Sequence, residues 1–565
     1  MALALLKRHV SEFFNTKVRS AEFSIFFFAI ALYFLASYLL LLRNANSLVY
    51  YGDAVSHLVI ARGLFDSIHP GLIQLGSVWL PMTHILLLPF VANDFLFHTG
   101  LAGTIVSSIS TAITAVVLFR IVKLQFNSER AGVLASSLYL VNPSVMYMGV
   151  IPMMEAPFMM FFVLSVYYLQ KWYFNYTSSG SATVERNSSR SPSQYPTIIK
   201  AGLAISAASL TRYEGWLLPF GFIFVIFIVL FITDRKVWRH EIKGILQRAV
   251  LFSFPGIGLW IYYNLVNFNN PLYFVTGPYA IPVRASLRPF GLYLHSHPFF
   301  ALSVIVNVAK AMYGIPVLVI SACGIIAYLY LHRRNRKTTL FYLLTVGLLM
   351  EPMLSNFAAM LQGSGEIFPG PNRGWLDARY VILIAPLLAF CSVSFVIFIK
   401  NKGKKMALTI PAVVVLIASY SFTIVSQPLE VGKTTAMNDG YTFLPFLKHF
   451  QFAFATGEAL KKIYDNGHIL LFTPSQEGQQ IELKSGVPLK NFIEATSGRF
   501  WITSKTYPWV YGTYLIIRKP IDTHPDPVNN LIGYWLANQS VLMKYYQVIY
   551  ENAYYKILKK VNVNI

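Results

Sequence analysis

The chain has 565 residues, 55% of them hydrophobic and only 12% charged, and carries a net charge of +22. A soluble globular protein has about 25% charged residues, so this composition, with a mean hydropathy of +0.52, excludes an ordinary soluble enzyme. The basic residues form no stripe interleaved with aromatics, which argues against a nucleic-acid partner.

From the N-terminus, Lys7, Arg8, Lys17 and Arg19 precede an apolar run from about Glu22 to Leu42. That run is longer than the ~7–15 apolar residues of a signal peptide and lacks a small-residue cleavage site. It reads as a first membrane helix. Each crossing needs about 20 apolar residues. Such runs predict spans over 22–42, 100–122, 131–149, 156–173, 198–212, 216–233, 248–266, 313–331, 338–358, 379–399 and 406–426. The Ser-rich stretch 174–197, with Pro192 and Pro196, predicts a flexible loop.

Lysine and arginine counts set the orientation. With a cytoplasmic N-terminus, the inside segments hold 24 of them and the outside segments before the C-terminal region hold 8. The excess positive charge therefore reads as cytoplasmic anchoring, with the C-terminal domain extracytoplasmic. The sequons at Asn175 and Asn187 then face the cytoplasm, and the one at Asn538 faces outside.

The first outside loop, 43–99, is not an ordinary connection. Val55–Phe65 has helical periodicity, and Trp79–Ala92 is apolar but carries Pro81 and Pro89. Both predict helices lying at the membrane interface. After Gln427 the composition turns polar. Lys448–Asn466 predicts a helix. Ile469–Thr473, Thr513–Arg518, Tyr545–Tyr550 and Tyr554–Leu558 predict strands, with a further helix over Val528–Asn538. The expected fold is an all-α polytopic membrane domain, 1–426, with about eleven transmembrane helices, followed by a small extracytoplasmic α/β domain, 427–565. Cys323 and Cys391 both sit in apolar runs and show no metal-ligand spacing.

Acidic residues near the outer face are few: Asp53, Asp66, Asp94, Glu155, Glu214, Glu351, Glu366 and Asp377. Asp53, just beyond the first span and followed by His57 and Arg62, is the strongest catalytic candidate. A helix N-cap is its structural alternative. Glu155 sits between apolar spans, where an acid is costly unless paired or used; its plainer reading is a carboxylate reaching water at the interface. Glu214 invites a local pair with Arg212. Glu351 precedes Pro352 inside a span. Arg379, Arg284, Arg288, His295 and His297 share this face. An arginine there can clamp a phosphate with paired N–H donors or simply snorkel.

The arrangement resembles the GT-C superfamily of polyprenyl-phosphate-dependent glycosyltransferases. That superfamily includes the protein O-mannosyltransferases, the lipid A aminoarabinose transferase and the oligosaccharyltransferase catalytic subunit. The likeness rests on Gly52-Asp53-Ala54 after the first helix, interfacial helices in the same loop, Glu155 in the second outside loop, Arg379-Tyr380 opening a late span, and a soluble domain after the last span. More closely, Gly52-Asp53-Ala54-x-x-His57-Leu58-x-x-Ala61-Arg62 with Trp79-Leu80-Pro81-x-x-His84 is similar to a prokaryotic subfamily of the protein-mannosyltransferase type.

The resemblance implies transfer of a sugar from a polyprenyl (dolichyl or undecaprenyl) phosphate donor to an acceptor hydroxyl on a glycan, lipid or protein. Transfer occurs outside the membrane, with inversion. Asp53 is the implied general base. Arg379, then Arg212, would bind the leaving phosphate, with Glu214 and Tyr380 in the same substrate-binding group. Glu155 would orient the acceptor, or join Asp53 in holding a divalent ion such as Mg2+ or Mn2+. Asp53 is followed by Ala54 rather than a second acid, which argues against the metal. The region that holds a Lys-Pro-Pro in the aminoarabinose transferase reads Trp79-Leu80-Pro81 here, so its phosphate contact would fall to His57, His84 or Arg62. Two other classes remain open: a transporter or flippase of lipid-linked sugars, which predicts midplane charges and repeated halves, and a non-catalytic scaffold, which leaves the first-loop cluster without a role.

Overall fold

The computed structural model describes residues 17–179, 195–233, 240–278, 280, 283, 297–333, 336–361, 367–368, 375–376, 378–401, 443–519 and 528–561. Among these, seven helices are long and apolar enough to cross a bilayer: Ala21–Arg43, Leu101–Phe126, Tyr213–Ile232, Lys243–Phe268, Met312–His332, Lys337–Leu361 and Arg379–Lys400. The protein is an integral, multi-pass membrane protein. These seven correspond to the expected first, second and sixth to tenth spans. The eleventh, 406–426, and the boundary between the two expected domains fall outside the described residues.

The count of eleven is not reproduced, and the three remaining spans show why. The run 131–149 is broken into helices Glu129–Leu140 (α1) and Pro143–Met148 (α2). Asn142 ends the first and caps the second, its Oδ1 accepting from the N–H groups of Ser144 and Val145 at 3.0 Å each. Pro143 then takes the first helical position, where its missing N–H costs nothing. The run 156–173 lies in helix Glu155–Ser179 (α3). Its 25 residues are long enough to cross, but Tyr, Gln, Lys and Asn in its second half make it less apolar than the seven. The run 198–212 yields only the 15-residue helix Tyr195–Ser209 (α4).

Between α2 and α3 the backbone is irregular, yet it lies deep in the protein. Its carbonyls are satisfied by hydroxyls from Leu101–Phe126: Thr104 donates to Val150 O (2.6 Å), Ser107 to Ile151 O (2.7 Å) and Ser108 to Gly149 O (3.1 Å). Non-helical backbone at such depth persists only with partners of this kind. Gly103 lets Pro152 approach where a Cβ would collide with it. The result is a fixed mount for Glu155 at the start of α3, where the helix dipole favours a negative charge.

The first loop folds as two helices, Gly52–Gly63 (α5) and Met82–Val91 (α6), close to the sequence expectation. The C-terminal domain is a five-stranded mixed sheet. In chain order its strands are His468–Phe472 (β1), Phe492–Ile493 (β2), Gly512–Arg518 (β3), Tyr546–Glu551 (β4) and Tyr555–Lys560 (β5). The spatial order is β2-β1-β3-β5-β4, with β1 parallel to β2 and β3 and the β3–β5 and β5–β4 pairs antiparallel. Strand side chains alternate between faces. Leu470, Phe472, Leu515 and Ile517 therefore pack with Trp501 and Trp535, while Ile469, Leu471, Tyr514 and Ile516 pack with Leu460 and Ile481. Being covered on both sides is why β1 reads as an unbroken apolar run.

Ile481 belongs to helix Ser475–Ser485 (α7), which the sequence reading missed. This helix docks the domain on the first loop: Ser56 Oγ donates to Gln479 Oε1 and His98 Nδ1 contacts Leu483 O, both at 2.5 Å.

Candidate active site

Asp53 occupies the first turn of α5, but not as a cap. The N-cap is Tyr51, which makes no side-chain cap bond. Instead Asp53 Oδ2 accepts from Arg379 Nη1 at 2.5 Å, and Oδ1 accepts from Gln476 Nε2 at 2.7 Å. A carboxylate has about four lone-pair sites, so this one can still accept a proton. Arg379 lies 326 residues further on and is 6% exposed. Its guanidinium carbon stands 5.5 Å from the Tyr51 ring and 5.2 Å from the Tyr380 ring. The Tyr380 ring is also 5.3 Å from the Arg212 guanidinium, so one aromatic ring serves two cations.

Arg212 anchors a second cluster. Its Nε and Nη2 donate to the two oxygens of Glu214 at 3.2 and 2.5 Å, and Nη1 donates to Glu155. The local Arg212–Glu214 pair read from sequence is present, but Glu155 is its third member. All three are buried: Arg212 4% exposed, Glu155 0% and Glu214 7%. Glu155 Oε2 is buried without a hydrogen-bond partner.

His57 and His84 are both fully buried and share a hydrogen bond, Nδ1 to Nε2, of 2.9 Å. The Trp79 ring lies 5.0 Å from that of His57. Burial, reinforced by the charges of Arg379 and then Arg212, pushes the His57 imidazole down to about 3. Burial, then His57 itself, holds His84 well below the usual histidine range. Both are therefore neutral at physiological pH, and neither supplies the positive charge that a phosphate contact in place of lysine would need.

Their titration has a consequence for stability. Between the folded value and the unfolded ~6.5, the unfolded chain binds more protons, so stability is complete above about pH 6.5 and is lost as pH falls. The expected slope is about 1.4 kcal/mol per pH unit per histidine. Thermal unfolding of the purified protein from pH 7 to 4.5 should show a falling midpoint, and His57→Gln should flatten the curve.

Arg62 is turned elsewhere. It pairs with Asp66 (3.0 Å) and Asp94 (2.7 Å) and donates to Val91 O (2.9 Å). It ties α5 to the end of α6 and is not brought to Asp53. Glu351 is 8% exposed, and its two buried carboxyl oxygens have no hydrogen-bond partner among the described residues. Arg284, Arg288, His295, Glu366 and Asp377 fall outside the described residues.

The sequence reading missed Gln476, Gln479 and Ser56, the groups that bring the C-terminal domain to Asp53. Among the described residues no three His, Cys, Asp or Glu side chains gather as a metal-binding set. The two carboxylates considered for a divalent ion each already face an arginine. That donor set does not fit the metal, and the arginines carry the positive charge at this site.

The sequence profile of the dolichyl-phosphate-mannose-protein mannosyltransferase family matches residues 91–274. ArnT from Cupriavidus metallidurans, in a crystal structure bound to undecaprenyl phosphate, superposes with a TM-score of 0.52 at 12% identity, over 94% of this chain and 98% of that one. The chain has the GT-C glycosyltransferase fold. The archaeal oligosaccharyltransferase AglB from Archaeoglobus fulgidus, in complex with an inhibitory peptide and a dolichol-phosphate, gives a TM-score of 0.47 at 10% identity over 93% of this chain and 72% of that one. No curated protein matches the sequence. The family profile spans Glu155, Arg212 and Glu214, while Asp53 and Arg379 lie on either side of it. Their meeting comes from the fold and not from the matched segment.

Proposed function

We propose that this GT-C protein transfers a sugar from a polyprenyl-phosphate donor to an acceptor hydroxyl on the extracytoplasmic face, with inversion and with Asp53 as general base. The observation that carries this reading is the contact between Asp53 and Arg379, with Tyr380 bridging to Arg212. A base and two cations are thereby set within one short span. The acceptor oxygen attacks the anomeric carbon and forms the new C–O bond. The bond from that carbon to the phosphate oxygen breaks, and its electron pair leaves with the polyprenyl phosphate. The acceptor proton passes to Asp53. Arg379, and after it Arg212, stabilise the charge that develops on the departing phosphate. Glu155 orients Arg212 and so holds it toward the departing phosphate. The K/R asymmetry supports an extracytoplasmic site, because the C-terminal domain packs against the first loop.

Purified protein in lipid, given a panel of labelled polyprenyl-phosphate sugars and acceptors, should yield a product whose anomeric configuration is opposite to that of its donor. Retained configuration would rule out the single displacement, and absence of transfer with every pair would overturn the enzyme reading. Arg379→Ala should weaken donor binding by about 1.5–3 kcal/mol, the range for a charge-assisted hydrogen bond. Unchanged affinity would remove Arg379 from the phosphate site.

A further inference from the structure

A cavity of about 860 Å³ lies between the first loop and the C-terminal domain. Its volume falls within the ~300–1,000 Å³ typical of small-molecule sites. Trp79 stands on the loop side and Trp501 on the domain side. Between them α7 presents Gln476, Gln479 and Glu482, with Glu494 from the end of β2. One lining residue reaches the base, Gln476, which donates to Asp53 Oδ1 at 2.7 Å; a second, Ser56, one turn along α5 from Asp53, donates to Gln479 at 2.5 Å. The cavity therefore opens beside Asp53 from the side of the soluble domain.

Apolar surface makes up most of its lining, and the polar groups set into it are, among the described residues, not cationic. Arg518 is the one Lys or Arg among the described lining residues, and it pairs with Glu477 at 2.8 Å. Neither Arg212 nor Arg379 lines the cavity, so a phosphate has its cations elsewhere. Glu482 is 2% exposed, and its buried Oε2 has no hydrogen-bond partner among the described residues. Burial and the neighbouring Glu494 hold its carboxyl well above the usual carboxylate range, and burial raises Glu494 as well. A neutral carboxyl beside glutamine amides offers donors and acceptors together, and the indoles offer flat apolar faces. Hydroxyls in a ring with an apolar C–H face match that combination. An anionic headgroup does not.

We propose that this cavity is the acceptor subsite and takes the end of a neutral glycan, whose hydroxyls bond to Glu482, Glu494 and Gln479 while Trp79 and Trp501 cover its faces. The assignment rests on the transferase reading above. The test is binding of neutral trisaccharides (mannotriose and cellotriose), beside a Ser/Thr-rich heptapeptide, to the full chain in lipid nanodiscs, read by saturation-transfer NMR. At least one trisaccharide should bind. Affinity should fall about tenfold or more in Glu482→Ala, as for loss of a buried hydrogen-bond partner, and change little in the neutral isostere Glu482→Gln. Should Glu482→Ala fail to fold, Gln479→Leu carries the same readout. Binding of the peptide in place of the sugars, no sugar binding, or full affinity in a folded Glu482→Ala would each overturn the assignment. Sugar binding without transfer from any donor would sink the transferase reading and the acceptor role with it, leaving a sugar-binding cavity. Transfer to peptide without sugar binding would overturn the cavity assignment and leave the transferase reading standing.

Discussion

Asp53→Asn is expected to lower sugar transfer by about 10²–10⁴-fold, the usual worth of a positioned general base, while the protein stays folded. Asn keeps the size of Asp and an oxygen that can still accept from Gln476 or Arg379, so the contacts at 2.7 and 2.5 Å need not both be lost. What disappears is the ability to take the acceptor proton. Donor affinity should not fall, because Arg379 is released from a competing carboxylate. The loss should therefore appear in kcat, with KM for the donor unchanged or lower. Initial rates with labelled donor, beside the melting temperature of each protein, separate this from misfolding. Transfer that persists in a folded Asp53→Asn would move the base to Glu155, whose Oε2 is buried and unpartnered.

Much of the architecture was legible in the sequence because bilayers and sheets impose simple patterns. Twenty apolar residues in a row mark a span, β1 and β3 show the apolar and β-branched runs of buried strands, and β4 and β5 the aromatic and β-branched pattern of more exposed ones. The break inside 131–149 had a local signal in Asn142-Pro143, outweighed by the apolar residues around it. Asp53 stood out because acids at that face are few. Its pairing with Arg379 could not be read from spacing, since 326 residues separate them; family resemblance supplied that link. Helix α7 was illegible for another reason. Ser475-Gln476-Glu477-Gly478-Gln479-Gln480 has no apolar period, yet Glu477, Gln479, Gln480 and Glu482 are all buried. A polar helix buried for binding cannot be told from a solvated one by pattern alone. Arg62 was misread in the opposite sense: Asp66 lies at i+4 and was a readable partner, while Asp94 came into reach only through the fold.

Removing Arg212 should affect stability more than any other single change at the site. Arg212→Ala would leave the Glu155 and Glu214 carboxylates, 0% and 7% exposed, without their shared cation. Stranding one side of a buried ion pair typically costs about 3–5 kcal/mol, and here two acids are stranded. The expected result is a large drop in melting temperature or loss of the folded protein, so lost transfer in that variant alone says nothing about phosphate. The decisive comparison is a triple variant, Arg212→Met with Glu155→Gln and Glu214→Gln, which removes the cation and both charges together. Replacing a buried charge cluster by neutral side chains of similar volume is often neutral or stabilising, so the fold should return. If transfer stays low in the refolded triple variant while Arg379 is intact, the cluster acts on substrate as well as on packing. If transfer returns with the fold, Arg212 serves only to hold Glu155 and Glu214, and the leaving phosphate depends on Arg379 alone.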